Sequence, residues 1–289
     1  MASKSFHETK QGDTNIGPYL SYLVQPNLHG KPQRLPSLLA LWILIFSYSG
    51  PTAYEITPLR CLCKLFYRAL KPLQRRVLWT SFPHPKYSTL QGLFDRINEL
   101  SRNSSTNIPK LVLIDNGVHV IDGRYVEINI PISIIGESRE YCIVMGGLSM
   151  NGKKEDDVNV SDLTLRESKS FGVLGCYGPS IHLDNVSVEN SGHSGVWVYG
   201  SKRNTMKNCN VSHSTHSGLF VGGGGLMTID GNATTIHHNC TRPDCWTMYE
   251  LYTASSSSSI HLVSPLTLDL VSYDNGGRNS GGTGTIKTL

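Results

Sequence analysis

Chemistry in this chain of 289 residues would need acids, histidines or cysteines gathered at one place, so their spacing decides what is available. His193 and His216 stand 23 positions apart, each opening a His-Ser-Gly word, with His213 close by. Held side by side, such a pair can bind a metal or move protons, but neither histidine has an acidic partner at a matching position. Arg166 and Glu189 share the interval of 23 and read as one base facing one acid. Asp156 and Asp157 are adjacent, inside the charged run KKEDD, and read as a solvated turn. Leu174, Trp197 and Phe220 also recur at 23, with Tyr199 beside them, while Trp246, Tyr249 and Tyr252 lie in a stretch (242–259) that breaks the interval. The seven cysteines include no Cys-x-x-Cys pair, which excludes zinc-ribbon spacing and suits reduced thiols of an intracellular protein. No catalytic residue, cofactor or metal ligand is assigned. Leu174, Trp197, Phe220, Tyr199, Arg166 and Glu189 are the expected ligand face, and Trp246, Tyr249 and Tyr252 the expected contacts of an insertion loop.

What positions these residues is a repeat. From Val160 the blocks VSDLTLRESKSFGVLGCYGPSIH (160–182), LDNVSVENSGHSGVWVYGSKRNT (183–205) and MKNCNVSHSTHSGLFVGGGGLMT (206–228) align without gaps, and a weaker fourth opens at Ile229. Helical repeats need 33 residues or more and propeller blades about 40, whereas a parallel β-helix takes one coil per block. One coil cannot bury its own apolar side. Leu163/Val186/Cys209 and Leu165/Val188/Val211 are therefore expected to stack inward, with Thr164/Ser187/Asn210 and Arg166/Glu189/Ser212 outward. Gly172, Gly195 and Gly218 are expected where the chain turns with positive φ.

Composition changes near residue 105. Residues 1–33 read as a flexible polar tail, 34–80 as a small helical segment, 81–109 as a linker with a capping helix, and 110–289 as the β-helix. The helix is expected to start at a Ser88-x-x-Gln91 capping box. The last stretch, GGRNSGGTGTIKTL, looks like a fraying or incomplete coil. Only 17% of residues are charged, too few for a disordered, highly charged chain or a coiled coil, and a formal charge of +4 does not argue for nucleic acid. The apolar run Leu38–Phe46 is nine residues, against about 20 for a membrane span. A monomer apart from its partners is expected.

Two resemblances follow. The blocks 160–241, with the lead-in VEINIPISIIGES, resemble right-handed parallel β-helix proteins of the pectin-lyase-like superfamily: a mainly β solenoid after a small α-helical segment. Related enzymes cleave or epimerise acidic polysaccharides with clustered carboxylates, a set this chain's outward columns lack. Residues 35–79, through IFSY (45–48), LRCLCKLF (59–66) and LW (78–79), resemble a divergent F-box. That resemblance implies that Leu35, Pro36, Ile45, Phe46, Leu59 and Cys63 meet a Skp-type ubiquitin-ligase adaptor while the coils hold a protein substrate. The expectation is a non-enzymatic adaptor, with a polysaccharide-binding or polysaccharide-modifying protein as the rival.

Overall fold

The structure, a computed structural model, describes residues 78–242 and 249–289. Leu35, Pro36, Ile45, Phe46, Leu59 and Cys63, and also Trp246, lie outside these ranges, whereas Leu78-Trp79 lies inside and Trp79 opens a strand instead of closing a helical segment. The described chain winds as a parallel β-solenoid of about seven turns. Its first face is a nine-stranded sheet made of Trp79–Phe82, Leu111–Ile114, Ile132–Gly136, Asp157–Ser161, Ser180–Asp184, Asn204–Lys207, Leu226–Asp230, Ser259–Leu262 and Thr285–Thr288. A twelve-stranded sheet bends to supply two more faces. The second face stacks Thr164–Arg166, Ser187–Glu189, Asn210–Ser212, Thr235–His237 and Ser272–Tyr273, and the third Val173–Cys176, Val196–Tyr199, Leu219–Gly222, Tyr249–Thr253 and Arg278–Gly282. The long strands Gly117–Ile128 and Cys142–Met150 serve both faces, because one part of Cys142–Met150 pairs with Thr164–Arg166 and the other with the Val173 strand.

The register matches the 23-residue alignment: Thr164, Ser187 and Asn210 stand beside one another, as do Val173, Val196 and Leu219. Leu163, Val186, Cys209, Leu165, Val188 and Val211 are all within 1% of full burial. Alternation along each strand leaves one side chain in two for the core, and stacking turns those into continuous apolar columns. Each buried Val or Leu contributes about 1.5–3 kcal/mol of transfer free energy. Asn204 enters the first face's interior but is satisfied: it accepts from Ile181 N–H and donates to the Ser201 and Leu226 carbonyls.

Corners take a different residue set from the expected glycines. Left-handed backbone occurs at Asp162, Asn185, Asn208 and Gly231 between the first and second faces, and at Glu167, Asn190, His213 and His238 between the second and third. Short polar side chains tolerate that region best, and Asn185 Nδ2 also donates to Asp162 Oδ1 at 2.8 Å along the column. Gly172, Gly195 and Gly218 have no positive φ. A Cβ at these positions would fall on Val188, Val211 and Glu250, so close packing requires glycine there.

Helix α1 (Leu90–Arg102) covers the first coil with Leu90, Leu93, Phe94 and Ile97, all within the main core. Its cap is Thr89, not Ser88: Gly92 N–H donates to Thr89 Oγ1 at 3.1 Å, and Gln91 turns to Asp95 instead of closing a capping box. Asn98 donates to the Glu127 carbonyl and accepts from Asn129 N–H, satisfying backbone groups of the adjoining chain. The repeat also resumes earlier than its spacing suggests. Leu251 and Tyr252 stand beside Leu219 and Phe220 on a regular strand, so Tyr249 and Tyr252 belong to a coil, not to an insertion loop. The glycine-rich end supplies two in-register strands where a fraying coil is expected.

Candidate functional site

On the second face two outward columns run through the whole stack. One is Val118, Ile143, Thr164, Ser187, Asn210 and Thr235; the other is Val120, Met145, Arg166, Glu189, Ser212, His237 and Tyr273. Their middle portion floors a groove of about 510 Å³, walled by Arg139 and Glu140 on one side and Ala233 on another. The wall is the segment 137–141, which leaves the solenoid between the Ile132–Gly136 and Cys142–Met150 strands. Two bonds fix it: Thr164 Oγ1 donates to the Arg139 carbonyl at 2.6 Å, and Arg139 Nη1 donates to the Asn208 carbonyl at 3.1 Å. Thr164 therefore points outward yet is buried.

The floor is a continuous hydrogen-bond chain that joins four successive coils. Thr235 Oγ1 donates to Asn210 Oδ1 (3.1 Å), Asn210 Nδ2 to Ser187 Oγ (3.1 Å), and Ser187 Oγ to Glu189 Oε1 (2.8 Å). Arg166 Nε closes it on Glu189 Oε2 at 2.9 Å. Both Glu189 oxygens are engaged, one in a charge-assisted bond of the stronger kind. Among the described residues lining the groove, two arginines face two glutamates. His237 ends the groove against Tyr273, ring on ring with centroids 5.2 Å apart, and its Nδ1 lies 2.6 Å from His238 Nδ1. Burial, followed by the neighbouring His238 and His213, holds the His237 pKa below its ordinary value, so a neutral imidazole faces the groove at neutral pH.

The expected ligand face divides in two. Arg166 and Glu189 meet on the second face, whereas Leu174, Trp197 and Phe220 lie on the third. There Trp197 and Phe220 stack at 3.4 Å with planes 2° apart, Phe171 lies against Trp197 at 4.9 Å, and Tyr252 lies against Phe220 at 5.4 Å. Only Trp197 and Phe220 meet face to face, the outer two rings being tilted by 51° and 43°, and Phe220 is buried between Trp197 and Tyr252. Tyr199 packs edge-on against Tyr177, and Tyr249 stacks on Tyr252. His193 and His216 do stack, at 4.0 Å, but burial and His216 push His193 down to about 4, which fixes it neutral at ordinary pH. Burial pushes the Cys142 and Cys209 thiols up to about 12 and about 11, far from a reactive thiolate. Asp157, read as part of a solvated turn, instead begins a strand and pairs with Arg203 at 3.1 Å and His182 at 3.2 Å.

Arg139, Glu140, Thr235 and His237 went unread because nothing in their spacing marks them. The wall precedes the repeat, and the step from Asn210 to Thr235 is 25 residues, not 23. The signal that locates Thr235 and His237 is the word Thr-Ile-His, which repeats the polar–apolar–polar order of Asn210-Val211-Ser212 two residues late; Arg139 and Glu140 have no such signal.

The family model described as "Right handed beta helix region" matches residues 146–262. Among solved structures the chain is similar to the Agl-KA catalytic domain, at 13% identity and a TM-score of 0.42, covering 71% of this chain and 45% of that one. It is likewise similar to a GH87 alpha-1,3-glucanase catalytic domain in complex with tetrasaccharides, at 14% identity and a TM-score of 0.42, covering 71% and 39%. The chain thus spans less than half the length of either. No curated protein matches it. These matches lend no support to the F-box-like reading of residues 34–80 or to an adaptor role. Residues 146–262 are a right-handed β-helix region within a parallel solenoid.

Proposed function

We propose that the protein binds a neutral polysaccharide, laid along the solenoid axis in the groove of the second face. The observation that carries this reading is the chain Thr235–Asn210–Ser187–Glu189–Arg166, donors and acceptors drawn from four successive coils that cross from one outward column to the other at Ser187 and Glu189. Coils stack at about 4.8 Å, so these groups offer a series of partners to the hydroxyls of an extended glycan. Balanced charge in the groove favours neutral sugars: Arg166 is already paired with Glu189, and Arg139 is committed to the Asn208 carbonyl. Directional polar groups on a preformed surface supply specificity, as in most ligand sites.

The test is calorimetric titration of the full chain with neutral oligosaccharides and matched uronic-acid oligomers. Asn210→Ala and Glu189→Ala are each expected to weaken neutral-glycan binding about tenfold, the effect of one or two lost hydrogen bonds. Circular dichroism should stay unchanged in both variants. Preference for the acidic oligomers, or binding untouched by both substitutions, overturns the assignment.

A further inference from the structure

The two columns that floor the groove do not stay polar. One and two coils before Thr164 and Arg166 they become Ile143 and Met145, then Val118 and Val120. Val118 and Val120 are each 63% exposed, and Tyr141, at the end of the wall segment, is 67% exposed. Scattered apolar side chains on a surface are ordinary, but here four are contiguous, on the same face and in the same two columns as the groove. The segment 137–141 reaches both regions: Arg139 and Glu140 line the polar part, and the Tyr141 carbonyl accepts from the N–H of Gly117, next to Val118, at 2.8 Å.

From this continuity, and resting on the glycan reading above, we infer that the groove takes an amphipathic saccharide. Its sugars lie over Arg166, Glu189 and Asn210, and an apolar substituent at one end, an acyl ester or alkyl aglycone, lies over Val118, Val120, Ile143 and Met145. Two coils give that substituent a track of about 10 Å. Because the columns are unbroken, the ligand crosses from one region to the other without leaving the face.

The experiment compares binding of neutral gluco-oligosaccharide tetramers with that of their n-octyl glycosides, below micelle formation, using the full chain. A buried methylene is worth about a fourfold gain, so partial burial of the octyl group should tighten binding at least tenfold. Val118→Ser/Val120→Ser, changed at outward positions, is expected to abolish that gain and leave the parent tetramers unaffected. Parent binding with no octyl gain, or a gain that survives in the double variant, overturns the inference and leaves the glycan reading standing. Failure of parents and octyl glycosides alike removes both. A wild-type dimer in sedimentation that the double variant dissolves assigns the apolar patch to a second copy and overturns the inference as well.

Discussion

Glu250 occupies a position that its column otherwise gives to glycine: it stands one coil beyond Gly218, which follows Gly172 and Gly195. Its side chain is fully buried over Gly218, with Oε1 accepting from Asn239 Nδ2 and Oε2 unpartnered. Burial raises its pKa well above the ordinary carboxyl range, since the charged form would lose its hydration. The folded protein therefore holds a proton that the unfolded chain releases above its ordinary carboxyl pKa. Its contribution to stability is complete below that pKa and is lost as pH rises toward the folded-state value. Glu250→Gln should remove this slope, at most about 1.4 kcal/mol per pH unit, and raise the melting temperature at pH 7 relative to pH 4. Melting curves across that range check it; parallel wild-type and variant profiles would mean that Glu250 is ionised in the fold. None of this was legible in the sequence, where a Glu between Tyr249 and Leu251 in a stretch that breaks the repeat has nothing to mark it as interior.

At the scale of elements the sequence was most informative where identical spacing imposed identical register. The columns ending in Cys209 and Val211 follow directly from the gapless blocks, because a one-residue slip would turn every apolar side chain outward. Val188→Asp should accordingly destabilise the coil stack by several kcal/mol, the cost of an unpaired buried charge. Phe94→Ala, which empties the largest side chain that α1 places in the core, should cost about 3–5 kcal/mol. Urea denaturation measures both, and a Val188→Asp protein as stable as wild type would refute the inward assignment. What spacing could not convey was the third dimension of each turn. The glycines mark tight packing and the asparagines mark corners, a division that depends on which atoms lie beneath them. Thr89 likewise displaces Ser88 as helix cap because only there does an oxygen meet the Gly92 amide.

Over the whole molecule, the solenoid was foreseeable and the groove was not. A repeat announces the stacking of coils, but the wall that turns one flat face into a recess is a single excursion, 137–141, with no second copy in the sequence. In an array where each coil touches only its neighbours, stability is roughly a sum of coil and interface terms, so opening should begin at the ends. Hydrogen exchange should be slowest around Val188 and Val211 and fastest in the Arg278–Gly282 and Thr285–Thr288 strands. Uniform protection along the stack would contradict that picture.

Arg139 adds something that nearest-neighbour stacking does not provide. It leaves the chain after the Ile132–Gly136 strand and bonds the carbonyl of Asn208, after Asn204–Lys207, which is three places further along the first sheet. The coils between them are cross-braced, so none can peel away without also breaking a tie that spans the others. A spring of separate windings thereby gains one stiff section, and that section is the one that carries the groove.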